Sequence, residues 1–203
     1  MNTRPETVTI RRTKKLKQIG CHKVNIGVEH GNQKFRRDVV GRNYENELAI
    51  KAFDIMYNEK IATTCNNIIG YPDETRELVF DTIELARKLK SENVNGFTFV
   101  PYHGTVLRED AIKEGWLDPE RQTTSVISES ILAMPKPYLN SKEILGLVKT
   151  LPLYARFPKS RYTEIRQAEN EEPGGPIFQK LRDEWYEMTY GSSEAERNLT
   201  YQG

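Results

Sequence analysis

With 203 residues, 30 basic and 29 acidic side chains and a net charge of +1, the chain can bury a substantial core and has no charge bias toward nucleic acid or a membrane surface. No run approaches the roughly 18 to 20 apolar residues of a membrane span and no signal-peptide core follows Met1, so a cytoplasmic protein is expected. Cys21, Cys65, His22, His30 and His103 are scattered without short metal-ligand spacing, which displays no protein-only zinc or iron site and leaves each cysteine as a small apolar residue beside a strand.

Met1 to Pro5 (M-N-T-R-P) reads as the end of a strand and its exit turn, with Pro5 suited to the first turn of a helix. Thr7 to Ile19 carries Val8, Ile10, Leu16 and Ile19 at helical positions, with Arg11, Arg12, Lys14, Lys15 and Lys17 as its wet face and Gly20 as its stop. A strand from Lys23 to Gly27 ends in V-E-H-G-N. A helix from Tyr44 to Glu59 follows, with Leu48, Ala49, Ala52, Phe53 and Met56 inward and Asn46 as a candidate cap. The strand Ile61 to Cys65 delivers N-N-I-I-G-Y-P-D-E-T (Asn66 to Thr75), and a helix over Asp73 to Lys90 presents Leu78, Val79, Ile83, Leu85, Ala86 and Leu89. The strand Val94 to Val100 ends in P-Y-H-G-T, before a short helix from Val106 to Glu114.

Beyond Gly115 the chain reads as irregular to Asn140, with Pro135 and Pro137 blocking a helix. Leu139 to Tyr154 is helical, capped by Asn140 or Ser141. Phe157 to Pro176 reads as a polar connector, Ile177 to Met188 as a final amphipathic helix and Thr189 to Gly203 as a frayed tail.

Strand, helix, strand, helix in this order predicts parallel strands with right-handed crossovers, an α/β partial barrel of three to four strands over residues 1–118. A mostly helical extension covers 119–203. Ligands of such folds sit where strands end, which singles out Glu29 just past a strand. Arg42 in G-R-N could fork a carboxylate in bidentate fashion. A zwitterionic amino acid would satisfy both; a structural bridge from Glu29 to a nearby cation is the equal alternative. A barrel lyase or hydrolase using Glu29 with Asp73 or Glu74 as acid and base is a rival, and a noncatalytic scaffold docking through Ile177 to Met188 is another.

G-V-E-H-G-N with Arg42 behind it, N-I-I-G-Y-P-D-E-T and F-T-F-V-P-Y-H-G-T together resemble the C-terminal part of a radical S-adenosylmethionine (SAM) enzyme. The branch most resembled carries a cobalamin-binding domain before its barrel, and K-T-L-P-L-Y-A-R-F-P-K-S-R is similar to its helical extension. The resemblance implies a (β/α) TIM-like radical SAM barrel. In it Glu29 and Arg42 hold the methionine amino and carboxylate groups of SAM, and Asn66 or Asn67 faces the ribose or the substrate. Ile68, Ile69 and Gly70 lie against the adenine, and Pro101 and Tyr102 line the far wall.

The parent activity implied is reductive cleavage of SAM to a 5′-deoxyadenosyl radical, with methyl transfer where cobalamin serves. Such enzymes hold a 4Fe-4S cluster through a C-x-x-x-C-x-x-C loop, which this sequence lacks. The expectation is therefore a fragment inactive alone, its partners being SAM, an unidentified substrate and the missing N-terminal half of the barrel, with no nucleic acid and no membrane span. A cluster-free degenerate paralogue acting as a binding or scaffold protein is the alternative.

Overall fold

The structure, a computed structural model, describes residues 1–172 and 174–191. Most of the expected tail, residues 192–203, lies outside the described residues, as does Pro173.

Four strands, β1 (Asn2–Thr3), β2 (Lys23–Glu29), β3 (Ala62–Ile69) and β4 (Asn93–Thr98), form one sheet in the order β1-β2-β3-β4. Every pairing is parallel, so each strand is followed by a crossover that returns the chain to the same end of the sheet. The crossovers carry α1 (Ile10–Gln18), α2 (Gln33–Asp38) with α3 (Asn46–Asn58), and α4 (Arg76–Lys88). After β4 come α5 (Val106–Lys113), α6 (Ser141–Arg156), α7 (Tyr162–Asn170) and α8 (Pro176–Tyr190). This is the expected α/β architecture with a helical C-terminal region.

Alternation along the strands separates two faces. Val24, Ile26, Val28, Cys65, Ile69 and Val94 are buried in the core. They share it with Ala49, Phe53 and Met56 of α3, Val79 and Ile83 of α4, and Ile144, Leu147 and Leu151 of α6. The opposite face carries Asn25, Gly27, Glu29, Asn66, Ile68 and Phe97, all of which line an open cleft. α6 rests on the helix-covered side of β4 at Gly96, where a Cβ would stand 3.1 Å from the Val148 carbonyl oxygen.

Helix boundaries depart from expectation for local reasons. α1 starts at Ile10 because Pro5–Thr7 takes a 3-10 turn and Thr9 caps the helix by accepting from the Arg12 amide. Its Ile10 and Ile19 are 57% and 80% exposed, so the buried side of α1 runs through Thr13 instead. Asn46 is the first helical residue of α3 and not its cap; its amide donates to the Gly31 carbonyl and accepts from Arg36. Asn140 does cap α6, in a reciprocal capping box with Glu143.

The expected connector over 157–176 contains α7, which buries Ile165 and Ala168. Its Glu169 carboxylate, almost fully buried, is gripped at both oxygens by Arg76 of α4, at 2.7 and 2.8 Å, and accepts from the Tyr154 hydroxyl of α6 at 3.0 Å. Burial pushes the Glu169 pKa up, and Arg76 works against that shift. Arg76→Ala leaves this carboxylate to Arg166, which donates to the same oxygen as Arg76, and to Tyr154, and should lower the unfolding free energy by about 2 kcal/mol, against about 1 kcal/mol for Tyr154→Phe. Urea denaturation of the two variants checks the ordering.

Candidate functional site

The cleft, about 450 Å³, is lined by Asn2, Thr3, Arg4, Asn25, Gly27, Glu29, Arg42, Asn66, Ile68, Phe97 and Val126. Its upper end is built by a bulge. The β2–β3 register runs Gly27 to Asn66 and then Glu29 to Asn67, with the shift between Gly27 and Glu29. Glu29 takes φ +70°, a left-handed conformation that costs a glutamate about 1 kcal/mol or more. The bulge turns the Glu29 carboxylate back over Gly27, where an added Cβ would meet its Oε1 at 2.5 Å. The missing side chain at Gly27 is what makes room for that carboxylate.

Arg42 closes the arrangement. Its Nη2 donates to Glu29 Oε1 at 2.8 Å and its Nη1 to the Gly27 carbonyl at 3.2 Å. Both side chains are mostly buried, at 15% and 16% exposure. Burial raises the Glu29 pKa above the usual carboxylate value, and Arg42 and Arg4 offset only part of that rise. The cleft thus holds a carboxylate and a guanidinium side by side, able to receive an ammonium and a carboxylate of one ligand.

Arg4, Asn25 and Asn66 also line the cleft, and on the β4 side it is apolar, with Ile68, Phe97 and Val126. Val126 arrives from the loop after α5, held to the sheet where the Thr98 amide donates to the Val126 carbonyl at 2.7 Å. The base of that loop is fixed by the buried Arg108, which donates to the carbonyls of Pro101, Pro119 and Arg121.

Several residues singled out from the sequence stand elsewhere. Asn67 is fully buried on the helix-covered face, bonded to Cys65 and to the Asn95 carbonyl, so of the two asparagines only Asn66 reaches the cleft. Ile69, also fully buried, points with Cys65 into the core. Gly70 has φ +94° and lies against Ile144 of α6, 2.8 Å from where its Cβ would be; its small size serves that turn and that packing. Pro101 is buried and lends its carbonyl to Arg108, while Tyr102 is 55% exposed, and neither lines the cleft.

Glu74 is fully buried and bonded to His30, and Asp73 stands at φ +63° beside Tyr138. Neither shares the cleft with Glu29, so the acid–base pairing of Glu29 with Asp73 or Glu74 is not assembled.

Asn2, Arg4, Asn25, Phe97 and Val126 line the cleft without having been singled out. For Asn25 the signal was present, since it alternates with Gly27 and Glu29. For Val126 there was none, because its place depends on a loop folding back over β4. A larger cavity of about 790 Å³ opens at the other end of the sheet, among Tyr57, Lys60, Lys90, Ser91 and Arg156. It lies at the strand amino ends, away from the face where parallel α/β folds carry their chemistry.

The cysteines do not suit a 4Fe-4S cluster. Cys65 is fully buried, with its thiol pushed up to about 12 by burial, and Cys21 is the only other thiol in the sequence. Among the described residues no three His, Cys, Asp or Glu side chains gather as a metal site, and no helix is long and apolar enough to cross a membrane.

Comparisons with known proteins bear on the family and the fold. An uncharacterized methyltransferase of Pyrococcus horikoshii is 32% identical over 116 residues, 57% of this chain, which spans 25% of that relative. The cobalamin- and [4Fe-4S]-bound structure of the radical S-adenosylmethionine methyltransferase TsrM from Kitasatospora setae superposes with a TM-score of 0.55. That alignment covers 91% of this chain and 44% of TsrM at 14% identity, a likeness of fold alone. The sequence pattern of the radical SAM superfamily matches residues 1–103, and the chain belongs to that superfamily.

Proposed function

We propose that this chain supplies the SAM-recognition strands and part of the substrate wall of a radical SAM methyltransferase. The observation that carries this reading is the Glu29–Arg42 pair, held over Gly27 by a bulge at the end of β2. Glu29 would receive the methionine ammonium and Arg42 its carboxylate, so the ligand exchanges one internal ion pair for two. Asn66 would meet the ribose or the substrate, and the apolar side of the cleft would exclude water from the reacting carbon.

The [4Fe-4S] cluster supplies the electron that cleaves SAM in such enzymes. Its three thiolates must come from polypeptide outside these residues, and this chain contributes binding and orientation only. The Pyrococcus horikoshii relative carries the name of a methyltransferase, and the TsrM structure holds cobalamin, which supports methyl transfer in a cobalamin-linked parent.

Calorimetric titration of the chain with SAM tests the reading. Glu29→Gln and Arg42→Ala should each weaken binding about 30-fold, the loss of one charge-assisted hydrogen bond of about 2 kcal/mol. Equal affinity for wild type and both variants would remove the cleft from SAM recognition.

The pH dependence has a definite sign. Because burial raises the Glu29 pKa, the carboxylate takes up its proton at a higher pH than an exposed glutamate, and SAM affinity should fall as pH drops below that raised value, toward the affinity of Glu29→Gln. Glu29→Gln should flatten the profile. The same shift makes the ionised Glu29 a burden on the fold: stability contributed by Glu29 is present below the unfolded-state pKa and lost as pH rises through the folded one. Glu29→Gln should therefore bind SAM worse yet unfold at a slightly higher urea concentration at neutral pH.

A further inference from the structure

The cleft floor is paved with asparagines, and the strand register explains their arrangement. Asn2 of β1 stands opposite Asn25 of β2, and Asn66 of β3 opposite Asn95 of β4. Each pair is joined by one hydrogen bond between side-chain amides, Asn25 Nδ2 to Asn2 Oδ1 at 3.0 Å and Asn95 Nδ2 to Asn66 Oδ1 at 3.3 Å. Asparagine is depleted in strands, and barrel interiors are ordinarily filled by bulky branched side chains. Two such rungs on one inner face are therefore an expensive choice for packing alone.

An amide pair that spends one donor and one acceptor on itself keeps a free N–H on one member and a free carbonyl oxygen on the other, whichever of the two donates. No further partner holds these four side chains among the described residues, and all four keep solvent exposure. Each rung thus offers a donor beside an acceptor. The complementary ligand edge is an N–H beside a C=O on one side of an uncharged group, as in a cis-amide or lactam. The rungs share the cleft with the Glu29–Arg42 pair and Arg4, while Ile68, Phe97 and Val126 give it an apolar flank.

We propose that the two asparagine rungs, Asn2–Asn25 and Asn66–Asn95, recognise the uncharged cis-amide edge of the substrate, which carries an apolar group against Phe97 and Val126. This assignment rests on the cleft being the reaction site, but it concerns the substrate and not SAM. A cyclic peptide and a nucleobase lactam share the chemistry, and both belong in the test.

The experiment is a titration of the 203-residue chain, followed by two-dimensional 1H–15N spectra of the asparagine side-chain amides. The probes are cyclo(Gly-Leu), uracil and their N-methylated counterparts, each with and without SAM. At least one parent probe should shift the Asn2, Asn25, Asn66 and Asn95 signals, with tenfold or weaker binding of its N-methylated form. Tighter binding of cyclo(Gly-Leu) than of uracil marks a peptide-type amide, and the reverse order a nucleobase. Asn25→Leu and Asn66→Leu should each abolish the response, and Asn25→Leu should leave SAM affinity within about threefold. Shifts confined to other residues, or equal binding of N-methylated and parent probes to the wild type, overturn the proposal even where a leucine variant does not fold. SAM failing to bind while the amide probes still shift the rungs would count against the cofactor reading instead.

Discussion

Gly31→Ala should leave the chain largely unfolded at room temperature. A Cβ on Gly31 would lie 2.3 Å from the Asp81 carbonyl oxygen and 2.5 Å from Thr82 Cα. Both are backbone atoms inside α4, fixed by the helix hydrogen bonds, so no side chain can swing aside. The loop would have to lift off the helix, and it is tied to α4 at two points and to α3 at one. The Gly31 amide donates to Thr82 Oγ1 at 2.9 Å, Asn32 Nδ2 donates to Asp81 at 2.8 Å, and the Gly31 carbonyl accepts from Asn46. Overpacking of this kind costs about 3 kcal/mol, and the broken bonds add about 1 kcal/mol each. Against a total stability of roughly 5 to 15 kcal/mol that is decisive. Gly104→Ala is the control: Gly104 has φ +77° with nothing within 4 Å of a built Cβ, so only backbone strain of about 1 kcal/mol is expected there. Urea midpoints of the two variants should differ by more than 1 M in a chain of this size; coincident midpoints would mean that the loop is not seated on α4.

The same loop shows how far the sequence could be followed. Val24, Ile26 and Val28 alternate with Asn25, Gly27 and Glu29, so the two faces of β2 are legible at period two, and a carboxylate past its last glycine stands out at a strand end. Arg42 is legible as its partner because G-R-N sits in a polar stretch before an apolar helix.

The doublets defeat this logic in β3. In N-N-I-I either asparagine and either isoleucine could face the ligand, and a slip of one residue exchanges the faces. The regular alternation of β3 puts Asn66 and Ile68 in the cleft and Asn67 and Ile69 in the core, and only the pairing with β4 fixes which phase that alternation takes. Val126 and the Asn2–Asn25 rung depend on long-range pairing that no local pattern encodes. α7 was hidden for a related reason: Ile165 and Ala168 are its only buried apolar residues, and its place is fixed by the grip of Arg76 on Glu169 from another helix.

Glu74→Ala should cost about 4 kcal/mol and loosen the cleft without touching it. Glu74 and His30 are both fully buried. One carboxylate oxygen accepts from His30 Nε2 at 3.0 Å, and the other accepts the backbone amides of Gly70 and Tyr71. The Asn32 amide donates to His30 Nδ1 at 3.0 Å, which places the ring proton on Nε2 and aims it at the carboxylate. Around this pair stand the rings of Phe35, Tyr71 and Phe99, so no water is at hand to take over the released groups. Alanine leaves three buried N–H donors unpaired at about 1 to 3 kcal/mol each, reduced by whatever the turn can relax. Glu74→Gln keeps one acceptor oxygen but turns an NH2 toward donors, and about 2 kcal/mol is expected. Because Glu74 ties the loop after β2 to the turn after β3, releasing it frees the backbone that holds Glu29 in its left-handed conformation. SAM affinity should therefore fall at least tenfold in Glu74→Gln at a temperature where circular dichroism shows the variant folded. Unchanged SAM affinity in that folded variant would mean that Glu29 and Arg42 are positioned by the bulge alone.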